Sequence, residues 1–428
     1  MLDLTHTIYG VLGLAVFVLA YIFVFFEEAI DLRKSKPMLL GASIIWLMVG
    51  LAYSASGKQA EATLAATHVL ESYGELFLFL LVSITYVNVL EERRVFEVLR
   101  SKLSNLGLSY VQIFWLLGII TFFLSSVLAN MTTVLIMGAV VLAIGKGAEK
   151  FMALGCISVV VAANAGGAFS PFGDTTTLMI WQSGKLDFYS FFVLLLPALL
   201  NWLIPATLMS FALPKGKPAQ SKTAIKPKVG TTGVLVLFAA SIFAAVYFQT
   251  ALGLPAALGM VLGLALLQTW SYVLNLRRND DIALNSFKAI ERLEWDTMLF
   301  FLGVMMAVAG LGALGWLTLL NQSLYAVWGP TLANTSVGVA SALLDNIPLV
   351  YAVLQMNPGM GHEQWLLMAL TAGVGGSLLS IGSAAGVAMM GLGGKHYTFL
   401  SHLRWTPAIA LGYAASIGLH LWLNVAAQ

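Results

Sequence analysis

The stretch from Ala163 to Thr177, which reads ANAGGAFSPFGDTTT, decides the fold. It lies between apolar runs long enough to enter a bilayer, but helix-breaking residues interrupt it at Gly166, Gly167, Pro171 and Gly173. Inside lipid, such a break is tolerated only where protein or a water-filled cavity satisfies the freed backbone groups. Asp174 stands at the break, where a lone carboxylate costs roughly 2.5 to 3.5 kcal/mol. That cost favours an ion site; the alternative is an Asp that only caps a half-helix at a membrane surface.

Composition places the chain among integral membrane proteins. Of its 428 residues, 59% are hydrophobic and only 10% are charged. The net charge of +2 does not indicate a nucleic-acid partner, and membrane lipid is the expected surrounding. A single cysteine excludes an intrachain disulfide, and six scattered histidines show no spacing typical of a transition-metal site. The sequence has no Walker motif for ATP coupling. No cofactor is therefore expected, and the chain is not predicted to be an enzyme.

Two halves of the chain repeat the same order of spans and interruptions. The predicted units are a first repeat at 1–213, with a hairpin at 106–144 and a broken helix at 151–181; a linker at 214–229; and a second repeat at 230–428, with a hairpin at 331–356 and a broken helix at 364–394. The linker holds five lysines and three prolines, which is typical of a segment on a membrane face.

The two halves also match residue by residue. Ser125–Val134 (SSVLANMTTV) aligns with Ser341–Val350 (SALLDNIPLV), and Ala165–Asp174 (AGGAFSPFGD) aligns with Val374–Ser383 (VGGSLLSIGS). An offset that stays near 210 to 220 residues (roughly constant) indicates duplication of the whole chain. Each half is predicted to cross the membrane five times, because its hairpin enters and leaves on the same side and adds no crossing. An odd number of crossings in the first half means that the second copy is inverted relative to the membrane. The predicted fold class is an all-α polytopic membrane protein with two inverted repeats, about ten crossings and two re-entrant hairpins.

Loop charges give an independent test of this topology. With the N-terminus outside, twenty of the 22 Lys and Arg residues fall in inner loops, and only Lys58 and Lys185 lie outside. This one-sided distribution is what the positive-inside rule predicts. Both termini of this multi-pass protein are therefore predicted to lie on the outer side of the membrane, and the linker on the inner side.

Inverted repeats with discontinuous segments are typical of secondary transporters whose substrate site lies at the membrane midplane. The hairpin tips and helix breaks are expected to meet there. The candidate ion ligands at these positions all carry oxygen donors: Asn130, Thr132, Thr133, Asn164, Asp174, Thr175, Thr176, Ser341, Asp345, Asn346 and Ser383. Structural alternatives stay open for some of them: Asp345 could only cap a hairpin helix, and the two asparagines of the hairpins could be turn residues.

The two carboxylates favour a monovalent cation over an anionic metabolite. Hard oxygen donors suit small hard cations, and no Arg or Lys falls inside the broken segments to hold a carboxylate or phosphate. A buried acid for which a proton and a cation compete gives antiport when access alternates between the two sides.

Four strings carry a resemblance to a known family. NAGGAFSPFGDTTTLMIW, LDNIPLV, GGSLLSIGSAAGVAMMG and, near the start, EEAIDLRKSKPMLL resemble NhaD-type sodium/proton antiporters of the ion transporter superfamily, over nearly the whole chain. The resemblance implies exchange of Na+ (and often Li+) for H+ across a bacterial inner membrane by a homodimer. It also implies that Asn130, Asp174, Asp345 and Asn346 lie at or near the ion site.

The chain departs from the family pattern at two positions. The pattern has Asp before the asparagine of the first hairpin, where this chain has Ala129, and an acid in the third span, where this chain has Asn88. Two carboxylates are missing, which leaves ion preference and stoichiometry open. The alternative function is a Na+- or H+-coupled carrier of a small carboxylate or another solute on the same fold.

The topology predicts the result of cysteine labelling. A cysteine at Ser221, in the linker, and one at Gln428 should react with an impermeant thiol reagent from opposite sides of the membrane. Labelling is measured in intact cells and in everted vesicles. Reaction of both positions from the same side would contradict the inverted arrangement.

Overall fold

The computed structural model describes residues 2–218, 225–276 and 284–424, and these residues form helices joined by short turns, without a strand among them. The first half holds α1 (Ile8–Phe25), α2 (Glu27–Ile30), α3 (Ser35–Ala55), α4 (Gln59–Glu92), α5 (Val95–Ser104), α6 (Tyr110–Ser125), α7 (Asn130–Ile144), α8 (Glu149–Ala168), α9 (Thr175–Gln182) and, after a 3-10 segment at Phe188–Leu194, α10 (Leu195–Ser210). The second half holds α11 (Thr231–Ala251), α12 (Ala256–Asn275), α13 (Ser286–Glu291), α14 (Trp295–Ala313), α15 (Trp316–Ala340), α16 (Asn346–Met356), α17 (His362–Gly375), α18 (Ala384–Gly393), a 3-10 turn at Gly394–His396, α19 (Phe399–Leu403) and α20 (Thr406–Asn424).

Nine helical segments in the described ranges are long and apolar enough to span a membrane, and the prediction of an all-α polytopic membrane protein is confirmed. The second broken segment does not count among the nine because it is divided into α17 and α18, which are 14 and 10 residues long. Large apolar side chains such as Phe243 (72% exposed) and Val327 (72% exposed) lie on the outer surface, as expected of residues that face lipid.

The most buried helices are the two that precede the breaks. In α8 all residues from Leu154 to Ala168 are buried, and in α17 all residues from Trp365 to Gly375 are buried. These helices pack against each other at the centre of the molecule. The chain breaks that follow them therefore lie inside protein, where other helices can satisfy the freed backbone groups.

Two helices extend further towards the N-terminus than a single span or the predicted hairpin requires. The polar stretch before the third span is helical, so that α4 is one helix of 34 residues and Glu61 lies in its first turn. Ala, Glu and Leu dominate this stretch and favour a helix, and its length of about 51 Å exceeds the hydrocarbon core. The second of these helices is α15, which begins at Trp316, although non-helical backbone at Gly329 (φ 73°) bends it close to the predicted start of the hairpin.

Helix packing recurs between the two halves. In the first half α6 packs against α8, and in the second half α15 packs against α17. The short helices contact their counterparts in the other half: α7 packs against α18, and α16 packs against α9. The last helices of the two halves, α10 and α20, also pack against each other. This correspondence supports the repeat, while the inverted orientation and the unit boundaries stay predictions.

Contacts between loops agree with the outer and inner sides to which the charge count assigns them. Loops assigned to the outer side touch one another through Leu4 with Leu314 and Lys185 with Asn357; loops assigned to the inner side touch through Arg93 with Val229 and Glu149 with Lys395. Residues 219–224 of the linker, including Ser221, and residue 428 lie outside the described residues. The grouping supports the predicted topology, and the cytoplasmic face stays a prediction.

The paired close contacts of the two halves predict matched destabilisation. A Cβ added at Gly166 would lie 2.0 Å from the carbonyl oxygen of Phe122, and one added at Gly375 would lie 2.0 Å from that of Gly338. Gly166→Ala and Gly375→Ala should each lower Tm in detergent, since overpacking costs about 1 to 3 kcal/mol or more. Gly418→Ala in α20 is the control, because no atom lies within 4 Å of the position that its added methyl group would take. Equal Tm for all three variants would contradict the tight packing of both helix pairs.

Candidate functional site

Four short helices begin at one small cavity in the centre of the protein. Their N-terminal flanking residues are Ala129 before α7, Asp174 before α9, Asp345 before α16 and Ser383 before α18. All four residues line the cavity, which has a volume of about 90 Å³. The hairpin tips and the helix breaks therefore meet. Room for several water molecules is available there.

Asp174 is the most enclosed acid of the cavity, with 8% of its surface exposed. Its Oδ1 accepts the backbone N–H of Thr176 at 3.0 Å, so the side chain caps α9. Its Oδ2 accepts hydrogen bonds from the amide groups of Asn130 (2.7 Å) and Asn346 (3.2 Å). One carboxylate thus joins the first hairpin, the first broken helix and the second hairpin.

Asn130 is held so that its amide group faces Asp174. Its Oδ1 accepts the hydroxyl of Ser125 at 2.8 Å, which leaves Nδ2 to donate to the carboxylate. The side chain fits only because residue 167 is glycine: a Cβ there would lie 2.2 Å from Asn130 Oδ1. Gly167 is therefore needed to make room for the Asn130 side chain as well as for the break.

Asp345 occupies a more open position than Asp174. It is half-buried, and its Oδ1 accepts the backbone N–H of Ile347 at 3.4 Å, which caps α16. The carboxylate also borders a second cavity of about 420 Å³, which Glu27, Lys34 and Ser383 help to line. The residue therefore lies between the small central cavity and the wider one.

Asn164 supplies an oxygen that the protein leaves without a partner. Its amide nitrogen donates to the hydroxyls of Ser377 (2.8 Å) and Ser383 (3.0 Å), while its Oδ1 is buried and has no hydrogen-bond partner. Asn164 lines the small cavity. An unpaired buried carbonyl oxygen costs free energy unless a ligand or water occupies the space beside it.

Eight of the eleven predicted ligands line the small cavity: Asn130, Thr132, Asn164, Asp174, Thr175, Asp345, Asn346 and Ser383. The structure does not bring the other three to its surface. Thr133 is buried with its hydroxyl 3.4 Å from the carbonyl of Leu128, and the Ser341 hydroxyl donates to the carbonyl of Gly338 at 2.8 Å. Thr176 is buried and contributes its backbone N–H to Asp174.

Sequence reasoning missed three residues that lie at or just before the starts of α3 and α14. Lys34, Glu294 and Thr297 line the small cavity, and the Thr297 hydroxyl donates to Glu294 at 3.2 Å. Lys34 directly precedes α3, Glu294 directly precedes α14, and Thr297 lies in the first turn of α14. These residues reach the same cavity because α3 and α14 pack against each other. The charged borders LRKSKP and RLEWDT contain the signal, but each reads equally well as an interfacial segment.

The two departures from the family pattern lie in different places. Ala129 lines the small cavity, so that a carboxylate at this position, as in the family pattern, would face the cavity. Asn88 instead donates its amide to the backbone carbonyl of Ala289 at 3.0 Å, where α4 meets α13. Within the described ranges no group of three or more His, Cys, Asp or Glu residues could hold a metal ion as a fixed ligand set. The candidate ligands are instead two aspartates with neutral oxygens.

Comparison with known proteins gives full-length relatives. The family model described as citrate transporter matches residues 21–375. A protein named Na(+)/H(+) antiporter NhaD from Vibrio cholerae is 47% identical, with 99% of this chain and 94% of that protein covered. The protein of the same name from Alkalimonas amylolytica is 46% identical over 99% of this chain and 92% of its own length. Sodium/proton antiporter 1 of Arabidopsis thaliana is 32% identical over 95% of this chain and 71% of the plant protein.

Identity close to one half over nearly the whole length of both proteins, together with the family model that spans residues 21–375, shows that the chain belongs to the NhaD-type sodium/proton antiporters.

Proposed function

We propose that the protein is a secondary transporter that exchanges Na+, and also Li+, for H+ by alternating access. One observation carries the proposal: the carboxylate of Asp174 is held by Asn130 and Asn346 from both hairpins, in one cavity with Asp345. Relatives that are 46 and 47% identical over 99% of the chain are named Na+/H+ antiporters, which supports the same exchange here.

The chemistry of the cavity suits a small hard cation. Carboxylate oxygens of Asp174 and Asp345, hydroxyls of Thr132 and Thr175, and the unpartnered Oδ1 of Asn164 lie around a space of about 90 Å³. Such oxygen ligands are preferred by hard cations, and neither thiolate nor imidazole lines the cavity in the described part of the chain.

The same carboxylates supply the coupling to protons. A carboxylate oxygen that holds a proton no longer offers its full negative charge to a cation, so the two ligands compete for one site. If the site opens first to one side and then to the other, cation release on one side is coupled to proton uptake there. Two antiported species then need only one set of residues.

The alternative, a coupled carrier of a small carboxylate, is not favoured by the cavity. Three acids line it, Asp174, Glu294 and Asp345, against one basic residue, Lys34, among the described residues. An anionic solute would face net negative charge and would find no arginine for bidentate binding. The name of the family model, citrate transporter, describes the wider family and does not outweigh this charge balance.

The setting of the exchange follows the topology. We propose an inner-membrane location with both termini in the periplasm and a homodimeric assembly. The wide cavity beside Asp345 is bordered by Glu27 and Lys34, which the charge count assigns to the cytoplasmic end. It would then be the cytoplasmic entrance to the site.

Transport assays should separate the two functions. In proteoliposomes that carry a pH gradient, Na+ or Li+ should dissipate the gradient, whereas choline and succinate should not. The measurement is the fluorescence of a pH-sensitive dye after each addition. Uptake of a carboxylate together with Na+ and without proton movement would contradict antiport and support the carrier.

Removal of either aspartate should abolish exchange. Asp174→Asn and Asp345→Asn keep the size of the side chain but remove the negative charge and the exchangeable proton, so Na+-dependent proton movement should fall at least roughly tenfold, as expected of a lost charged ligand. Protein levels in the membrane should stay near normal, because a neutral amide is easier to bury than a carboxylate.

The matched control for this pair is Glu61→Gln. Glu61 lies in the first turn of α4 and forms an exposed ion pair with Lys58 at 3.1 Å. An exposed pair contributes about 0 to 1 kcal/mol, so this variant should transport normally. Normal Na+/H+ exchange by both aspartate variants would exclude the proposed site.

A further inference from the structure

The wall between the small cavity and the wide cavity contains one basic side chain. Lys34 lines both cavities, and it is the one Lys or Arg that lines either of them among the described residues. Asp345 also borders both. Lys34 therefore borders both the space beside Asp174 and the wide cavity from which a cation would enter.

Lys34 is held in this position by its neighbours. Its backbone N–H donates to Glu27 Oε1 at 3.2 Å, and α3 begins at the next residue. Its Nζ lies 4.7 Å from the centre of the Phe300 ring, a cation–π contact with a buried side chain of α14. The side chain is half-buried and is not a freely solvated surface lysine.

The acids that line these two cavities together with Lys34 come from four separate segments. Glu27 follows α1, Glu294 precedes α14, Asp345 precedes α16 and Asp174 precedes α9. Glu294 lines the small cavity together with Lys34. When no cation is bound, the ammonium group can partly neutralise these acids; when a cation arrives, the two positive charges repel each other.

We propose that Lys34 sets the affinity of the site for its cation: its positive charge weakens cation binding enough for release into the wide cavity. The role rests on the proposed Na+/H+ exchange. A lysine is suited to it because its ammonium group places a compact positive charge beside the acids. The alternative role is structural, in which Lys34 only packs its stem against Phe300.

The test compares charge removal, charge retention and a matched neighbour. Lys34→Gln and Lys34→Met remove the charge, and Met also keeps an apolar stem over Phe300; Lys34→Arg retains the charge. Lys36→Gln removes a charge two residues away, from an exposed side chain that lines neither cavity. The half-saturating Na+ concentration and the maximal exchange rate are measured in proteoliposomes. The rise in Tm with NaCl, relative to choline chloride, gives cation binding in detergent without transport.

The neutral variants should lower the half-saturating Na+ concentration about fivefold or more and reduce the maximal rate, because attraction to the acids is no longer opposed. Lys34→Arg should stay close to the native value, and so should Lys36→Gln. In detergent, the neutral variants should reach their Tm plateau at lower Na+. An unchanged or increased half-saturating concentration in both neutral variants, or an equal shift in Lys36→Gln, would overturn the proposal.

This outcome is distinguishable from failure of the proposed function. If the native protein moves no protons in response to Na+ or Li+, the exchange itself is excluded. If the native protein exchanges normally and both neutral variants match it, only the role of Lys34 is excluded.

Discussion

The structure depends on how one carboxylate is buried. Asp174 accepts hydrogen bonds from the backbone of Thr176 and from the amides of Asn130 and Asn346. Hydrogen bonds to a charged group contribute about 1.5 to 3 kcal/mol each, which together can offset roughly 2.5 to 3.5 kcal/mol for a charge at membrane depth. The three donors lie at the starts of three different helices, α7, α9 and α16. All the hydrogen bonds to the carboxylate are therefore formed only when both hairpins lie against Asp174. Any movement that opens the site must change these bonds.

The fold class and most of the site could be predicted from sequence because both leave local signals. Glycine and proline inside an apolar run predict a helix break, and this prediction does not require the partner helix to be known. A polar Asp or Asn at such a break is costly to bury in the membrane, which indicates a functional role. Because the two halves match residue by residue, Asn346 aligns with Asn130, and both are therefore candidate ion ligands. The structure brings both to Asp174.

The missing parts of the site depend on contacts between distant segments. Lys34 and Glu294 reach the cavity only because α3 packs against α14, and nothing in either local sequence predicts that pairing. In the other direction, Thr133 and Ser341 carry the right oxygen but point into the packed interior, where they bond to the carbonyls of Leu128 and Gly338. A helical position next to a ligand is not itself a ligand position, because successive side chains point about 100° apart around the axis.

The two halves have the same order of helices around the small cavity, but their aspartates lie at different positions in that order. The repeat aligns Ala129 with Asp345 at the hairpins and Asp174 with Ser383 at the broken helices, and all four residues line the small cavity at the start of a helix. Among these four positions each half therefore contributes one acid, Asp174 at a broken helix and Asp345 at a hairpin. A cation held between the two acids is held by both halves at once, although the frame around it is nearly symmetric. A shift of one half relative to the other would change the distance between Asp174 and Asp345, so the proposed cation site would respond to the relative position of the halves.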